Sequence, residues 1–143
     1  MSISYEYLSL GLLLLRLMVG VVFFAHGAQK VFGWFGGHGP KGTLGFFTNV
    51  LKIPTSPAYV GVYSEIIASV GLILGLLTRF CALAMVIQML VAIFKAHWRV
   101  GFWMNWGSVP QKGEGYEYSL TLAVVCFVIL MLGGGSYSFD ALL

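Results

Sequence analysis

The sequence predicts an all-α membrane protein: a bundle of four transmembrane helices with a short interfacial helix in the first long loop. Of its 143 residues 59% are hydrophobic and only 9% are charged, whereas soluble domains carry about 25% charged residues. The apolar residues also form four runs of roughly the length that a bilayer requires, about 20 residues. Little chain remains outside them, so a single domain over residues 1–143 is expected.

Glycine-rich or polar segments separate the four predicted spans. The spans run from about Tyr7 to Ala25, Ala58 to Leu77, Phe80 to Lys95 and Tyr118 to Leu132. The first continues as helix through Lys30, and the dipeptide Thr78-Arg79 predicts a tight turn between the second and third.

The segment after the first span is predicted to contain a glycine-rich loop followed by a short helix. Gly33 to Gly42 is too rich in glycine to remain helical. Thr43 to Lys52 carries apolar residues at helical spacing and is followed by Pro54, which stops a helix. Because this helix is amphipathic and too short to span, it is expected to lie in the membrane interface.

An even number of spans puts both termini and the tight turn at one end of the bundle, here called side A. Both long loops lie at the other end, side B. Side A has only Arg79 near its surface, whereas side B has six cations: Lys30, Lys41, Lys52, Lys95, Arg99 and Lys112. The positive-inside rule therefore predicts that side B is cytoplasmic and that both termini are outside. The net charge of +3 is small and scattered, so the bilayer and not a nucleic acid is the expected partner.

Two ionisable residues interrupt the apolar runs, Arg16 in the first span and Glu65 in the second. A charge near the bilayer centre costs at least ~2.5–3.5 kcal/mol, so both side chains should face the bundle interior. Counted along each helix, their depths differ by ~8 Å, which a long arginine side chain can cover. The sequence therefore predicts an ion pair between Arg16 and Glu65, whose role is either structural or functional.

Further polar residues collect in the side-B half. One face of the first helix carries three of them at positions i, i+3 and i+4, and the third span ends with others at similar depth. Interfacial anchoring is the alternative for each residue alone. Together they predict a ligand-binding pocket walled by aromatic rings, formed by His26, Gln29, Lys30, Glu65, His97 and Trp98.

A quinone suits such a pocket, because it needs an apolar slot for its ring and tail and hydrogen-bond partners for its two oxygens. Haem is disfavoured, because His26 and His97 form one conceivable ligand pair and the sequence has no CxxCH motif. No metal site or intrinsic cofactor is expected, and no catalytic residue can be named.

Several segments resemble the DoxX family, which belongs to the DoxD-like superfamily. The most specific is HGxQKxFG, here His26, Gly27, Gln29, Lys30 and Gly33, and the match extends to Gly133 to Asp140 near the end of the chain. The resemblance implies a four-helix protein of the bacterial inner membrane. It also implies a link to quinol oxidase and thiosulfate:quinone oxidoreductase complexes, and so to quinone-linked oxidoreductase activity.

The leading interpretation is a DoxX-like membrane subunit of a redox-associated complex, which binds a quinone or another lipophilic molecule near side B. Partner subunits would supply any flavin, metal or thiol chemistry. One alternative is a non-catalytic assembly or chaperone-type module. Another is a small proton-coupled carrier that uses Arg16 and Glu65, although no inverted repeat supports it. The GxxxG formed by Gly71 and Gly75 is compatible with packing inside the chain or with a homo-oligomer.

Overall fold

The computed structural model describes residues 3–143, and within this range the regular structure is entirely helical. The α-helices are α1 (Ile3–Val31), α2 (Gly39–Gly45), α3 (Thr55–Leu74), α4 (Thr78–Ala92) and α5 (Glu117–Leu132). Turns of π-helix extend α2 over Phe46–Val50 and α4 over Ile93–His97. The all-α prediction is therefore confirmed.

Three helical segments are long and apolar enough to cross a membrane: Ile3–Val31, Thr55–Leu74 and Thr78–His97. Helix α5 is equally apolar, but its 16 residues correspond to only about 24 Å. The fourth predicted span therefore stays a prediction. The helices α1, α3, α4 and α5 nevertheless pack on one another in alternating direction, and their inward faces share one apolar core around Phe23, Leu72, Met85 and Cys126.

Helices α1 and α3 approach each other closely at two glycines. A Cβ atom at Gly20 would lie 2.6 Å from Ile73 Cγ1, and one at Gly27 would lie 2.8 Å from the Ile66 backbone nitrogen. Small residues allow this approach, which maximises van der Waals packing where the surroundings are equally apolar. Since Gly20 faces Ile73 and Gly27 faces Ile66, the helices are antiparallel and their register is fixed.

The turn between α3 and α4 differs from its prediction. It is formed by Gly75 to Leu77, with positive φ at Gly75 (70°) and Leu77 (49°), and Thr78 and Arg79 already belong to α4. Asp140 moves the boundary, because its carboxylate accepts hydrogen bonds from the amides of Leu77 and Thr78 and so caps α4.

The GxxxG glycines accordingly have different roles. Gly75 lies outside α3 and ends it in the left-handed conformation. Gly71 packs against Cys81 of α4, as the intramolecular interpretation predicts. The two glycines therefore do not form one continuous helix face.

The short helix after the first long helix is present, but it begins at Gly39 and not at Thr43. Pro40 lies in its first turn, where a missing backbone N–H costs nothing. The expectation that glycine keeps all of Gly33 to Gly42 non-helical is therefore wrong for its last residues. The helix packs against α1 and α3, and its place in the interface stays a prediction.

Substituting Gly27 should test the contact between α1 and α3. We expect Gly27→Ala to lower the melting temperature in detergent, because overpacking typically costs about 1–3 kcal/mol. Gly11→Ala is the matched control, since a Cβ there meets nothing within 4 Å and alanine is favoured over glycine in helices by about 1 kcal/mol. The two variants should shift stability in opposite directions, and a melt in which both stabilise the protein would refute the contact.

Candidate functional site

Glu65 lies in the side-B half of α3 and is almost completely buried, with 2% of its surface exposed. Its carboxylate forms an ion pair with the ammonium group of Lys30, at the end of α1. The same ammonium lies 5.7 Å from the centroid of the Phe47 ring, within the range of a cation–π interaction. Lys30 thus connects a buried carboxylate to the aromatic wall formed by the short helix.

The predicted ion pair between Arg16 and Glu65 is wrong, although both side chains are buried as expected. In the register set by Gly20 and Gly27, Glu65 lies opposite Ala28, twelve residues from Arg16, or about 18 Å of helix. The depth difference expected from the sequence was too small because Arg16 was counted inward from side A and Glu65 inward from side B, across a core of ~30 Å. Helix α3 ends at Leu74, opposite Val19.

A cavity of about 710 Å³ lies beside Lys30, between the short helix, the first half of α3 and the end of α4. Ligand pockets typically occupy about 300–1,000 Å³ and have mainly apolar walls. Apolar side chains dominate these walls, and the polar side chains are few. The lining residues are Lys30, Phe46, Phe47, Leu51, Ile53, Ser56, Pro57, Val60, Gly61, Ile87, Gln88, Met89, Val91, Ala92, Ala96 and His97.

His97 lines this cavity, and a contact with the backbone defines the tautomer of its ring. Its Nδ1 atom lies 2.9 Å from the backbone carbonyl oxygen of Glu114. Because a carbonyl oxygen only accepts hydrogen bonds, Nδ1 carries the proton in this contact. In the neutral ring Nε2 is then an acceptor.

Gln88 is a polar residue of the cavity that the sequence analysis overlooked. Its amide nitrogen donates to the Gly61 carbonyl oxygen at 3.1 Å, and its oxygen accepts from the Ser64 hydroxyl at 3.4 Å. These bonds link α4 to α3 and engage both ends of the side-chain amide. The available signal was a glutamine inside an apolar run, where a polar side chain needs a partner.

The structure separates the residues that the sequence grouped into one pocket. Lys30 and His97 line the cavity, and Glu65 adjoins it through Lys30. Gln29 lines a smaller neighbouring cavity of about 320 Å³ and donates to the Phe35 carbonyl oxygen. Trp98 is exposed and stacks on Tyr116, with ring centroids 5.4 Å apart.

His26 does not join this group, so its predicted convergence with Glu65 is wrong. Its side chain is exposed on α1 and does not line the cavity. His26 and Lys30 start from one helix face, but the flexible four-carbon chain of lysine turns inward to Glu65 and the shorter histidine stays outside. Across residues 3–143, no three His, Cys, Asp or Glu side chains gather as a metal site would require.

Arg16 belongs to a second polar cluster, at side A, and is completely buried. Its guanidinium donates hydrogen bonds to the carbonyl oxygens of Leu72 at 3.0 Å and Ile73 at 3.5 Å. The last carbonyls of a helix lack partners within its regular turns. The Leu72 oxygen also accepts from the Gly75 N–H at 3.3 Å, and Arg16 adds a donor to it and to the Ile73 oxygen. It also donates to the Tyr137 carbonyl oxygen at 2.5 Å, which ties the segment after α5 to α1.

The same segment holds Asp140, which caps α4, and Ser136, whose hydroxyl lies 3.1 Å from that of Ser9. Burial by itself would raise the pKa of Asp140. Hydrogen bonds from Thr78 and Leu77 and the positive charge of Arg16 outweigh burial and lower the pKa below its ordinary value. In the sequence this segment stood out only through its resemblance to the family, and no local pattern predicted that it closes side A.

Removing the Arg16 guanidinium should destabilise the protein. Arg16→Ala leaves the Leu72 oxygen with the Gly75 N–H but removes the donor to the Ile73 and Tyr137 oxygens. A carbonyl that loses its donor away from water costs about 1–3 kcal/mol, so we expect this variant to lower the melting temperature. Arg16→Lys should give an intermediate value, because one ammonium cannot reproduce the guanidinium fork. Arg79→Ala, which removes an exposed arginine from the same side, is the control, and an equal effect of Arg16→Ala and Arg79→Ala would contradict this role.

The Asp140 cap should make stability depend on pH in a defined direction. A carboxyl with a lowered pKa stabilises the fold above its unfolded pKa of about 3.9, and this contribution is lost as pH falls through the folded pKa. The parent should therefore melt above Asp140→Asn near pH 6, and the difference should shrink towards pH 3. A difference that stays constant over this range would refute the cap.

Comparison with known proteins supports one family. The DoxX family profile matches residues 11–98. A Bacillus subtilis (strain 168) protein named "Putative oxidoreductase CatD" is 32% identical over 105 residues, which cover 73% of this chain and 71% of that protein. No solved structure matches the chain.

A second relative covers more of the chain. An uncharacterized protein of Haemophilus influenzae (strain ATCC 51907 / DSM 11121 / KW20 / Rd) is 30% identical over 134 residues, which cover 92% of this chain and 82% of that protein. The profile match includes α1 from residue 11 onward and all of α3 and α4, and it therefore contains Lys30, Glu65 and His97. The chain is therefore a multi-pass membrane protein embedded in the lipid bilayer, and it belongs to the DoxX family.

Proposed function

We propose that this chain is a membrane subunit of a redox-associated complex of the bacterial inner membrane, and that its 710 Å³ cavity binds a quinone or a similar lipophilic molecule. The observation that carries the proposal is the cavity itself, which combines apolar walls with Lys30 and His97. The oxidoreductase name of the Bacillus subtilis relative agrees with this function.

The lining residues fit the chemistry of a quinone or its reduced form. The rings of Phe46 and Phe47 and the aliphatic side chains around them offer an apolar surface for the ring and the tail. Lys30 can donate a hydrogen bond to a ligand oxygen, because one ammonium has three N–H groups and Glu65 accepts one. His97 Nε2 can accept one from a hydroxyl group.

Access from the bilayer suits a lipophilic ligand. Val60 and Ile87 line the cavity and are 67% and 53% exposed. They lie on the outer faces of α3 and α4, both of which are apolar enough to span a membrane. A ligand dissolved in the hydrocarbon could therefore enter without crossing the aqueous phase.

Glu65 has a supporting role in this proposal. Its carboxylate holds the Lys30 ammonium at the cavity and balances a charge that would otherwise stand alone in an apolar setting. We assign electron transfer to partner subunits, which would contribute flavin, metal or thiol groups. Side B, which carries the cavity, would face the cytoplasm in the orientation that the cations favour.

Binding of a photoreactive quinone analogue to the reconstituted protein tests the proposal. We expect His97→Ala to weaken binding by about three- to tenfold, the typical effect of losing one hydrogen bond, and Lys30→Gln to weaken it at least as much. Labelled peptides should come from the short helix and from the end of α4.

His26→Ala is the matched control, because it removes an exposed histidine from the same half of the molecule and should bind like the parent. The proposal fails if His97→Ala binds as tightly as His26→Ala. It also fails if the label falls on the side-A half.

A further inference from the structure

Three cations line a separate cavity of about 410 Å³ at side B. Lys52 follows the short helix, and Lys95 and Arg99 lie in and just after the π-helical turn that ends α4. All three side chains are exposed. Among residues 3–143 the one ion pair joins Lys30 to Glu65, so none of these three cations forms an ion pair, and no carboxylate lines the cavity.

The backbone brings these like charges together at some cost. Lys52 has a φ of 56°, a left-handed conformation that is unfavourable for a residue with a side chain. Like charges in proximity also repel each other. Two chain segments far apart in sequence thus deliver positive charge to one place, and a bound anion would relieve the repulsion.

The surroundings of the cluster indicate which anion it suits. Val50 and Phe94 line the same cavity, and each is 63% exposed. Lys95 belongs to Thr78–His97, the helical segment long enough to span a membrane, and Trp98 follows at once. Basic groups beside apolar and aromatic side chains at the end of a spanning helix match the boundary between lipid headgroups and acyl chains.

We propose that Lys52, Lys95 and Arg99 bind the phosphate of an anionic phospholipid, with an acyl chain lying against Phe94 and Val50. Arg99 can hold phosphate oxygens with two N–H groups, and the lysines add point charges. This site is distinct from the quinone cavity, although Leu51 and Ala96 line both. It does not depend on the quinone proposal.

Native mass spectrometry of the full chain tests the proposal. The protein is first loaded with phosphatidylglycerol and then transferred into a mixture of phosphatidylglycerol and phosphatidylcholine, and the lipid that stays bound is identified. We expect the parent to retain phosphatidylglycerol in preference to phosphatidylcholine. Lys95→Gln/Arg99→Gln should reduce this retention by about tenfold or more, given roughly 1 kcal/mol for each cation near an anionic lipid. Lys95→Arg should preserve it.

The matched control is Lys41→Gln/Lys112→Gln, which removes two exposed side-B lysines outside the cluster. Equal losses in the two double variants would reduce the effect to general surface charge and overturn the site. Competition by millimolar inorganic phosphate would assign it to a soluble anion and also overturn the lipid proposal. The lipid proposal is supported if the Lys41→Gln/Lys112→Gln variant keeps the preference of the parent for phosphatidylglycerol and the Lys95→Gln/Arg99→Gln variant loses it.

Discussion

The close contact of α1 with α3 at Gly20 and Gly27 determines where every buried charge lies. Without side chains at these positions the two helices touch backbone to backbone, and only one register satisfies both contacts. That register brings the end of α1 to Glu65, so Lys30 can reach it. It also places Arg16 beside the last carbonyls of α3. Both polar clusters thus follow from one packing interaction between small residues.

The two polar clusters each stabilise a buried charge, but with different partner groups. A charge in an apolar environment needs a partner, because water is not there to solvate it. Arg16 donates to carbonyl oxygens at the end of α3 and to one in the segment after α5, so its partners are fixed backbone groups. Glu65 uses a flexible lysine side chain that also borders a cavity. The first arrangement closes side A, whereas the second holds an ammonium group next to a cavity.

The helices could be predicted from the sequence because the length of an apolar run is a local property. The start of α4 could not, because it depends on a contact with a distant residue. Asp140 sets the start of α4 from 62 residues away, and no local pattern contains that contact. The same limit applied to the site. The helical period placed His26 and Lys30 on one face of α1, and the rise per residue placed Arg16 within reach of Glu65. Neither quantity contains the offset between α1 and α3 along their axes. Lys30, Glu65 and His97 stood out in the sequence because polar residues in or beside apolar runs need partners, and the structure places Lys30 and His97 at one cavity; their role in binding a ligand stays a prediction.

Two π-helical turns lie at the end of the molecule that carries both proposed binding sites. One extra residue in a turn widens a helix and redirects the side chains that follow, and such turns are frequent at functional sites. Here Phe46–Val50 delivers Phe47 and Val50, and Ile93–His97 delivers Phe94, Lys95 and His97. These residues supply walls of the apolar cavity and of the cationic one. Regular α-helix would aim part of this set elsewhere, so the irregular turns are the local feature that places a lipophilic pocket beside a positively charged rim.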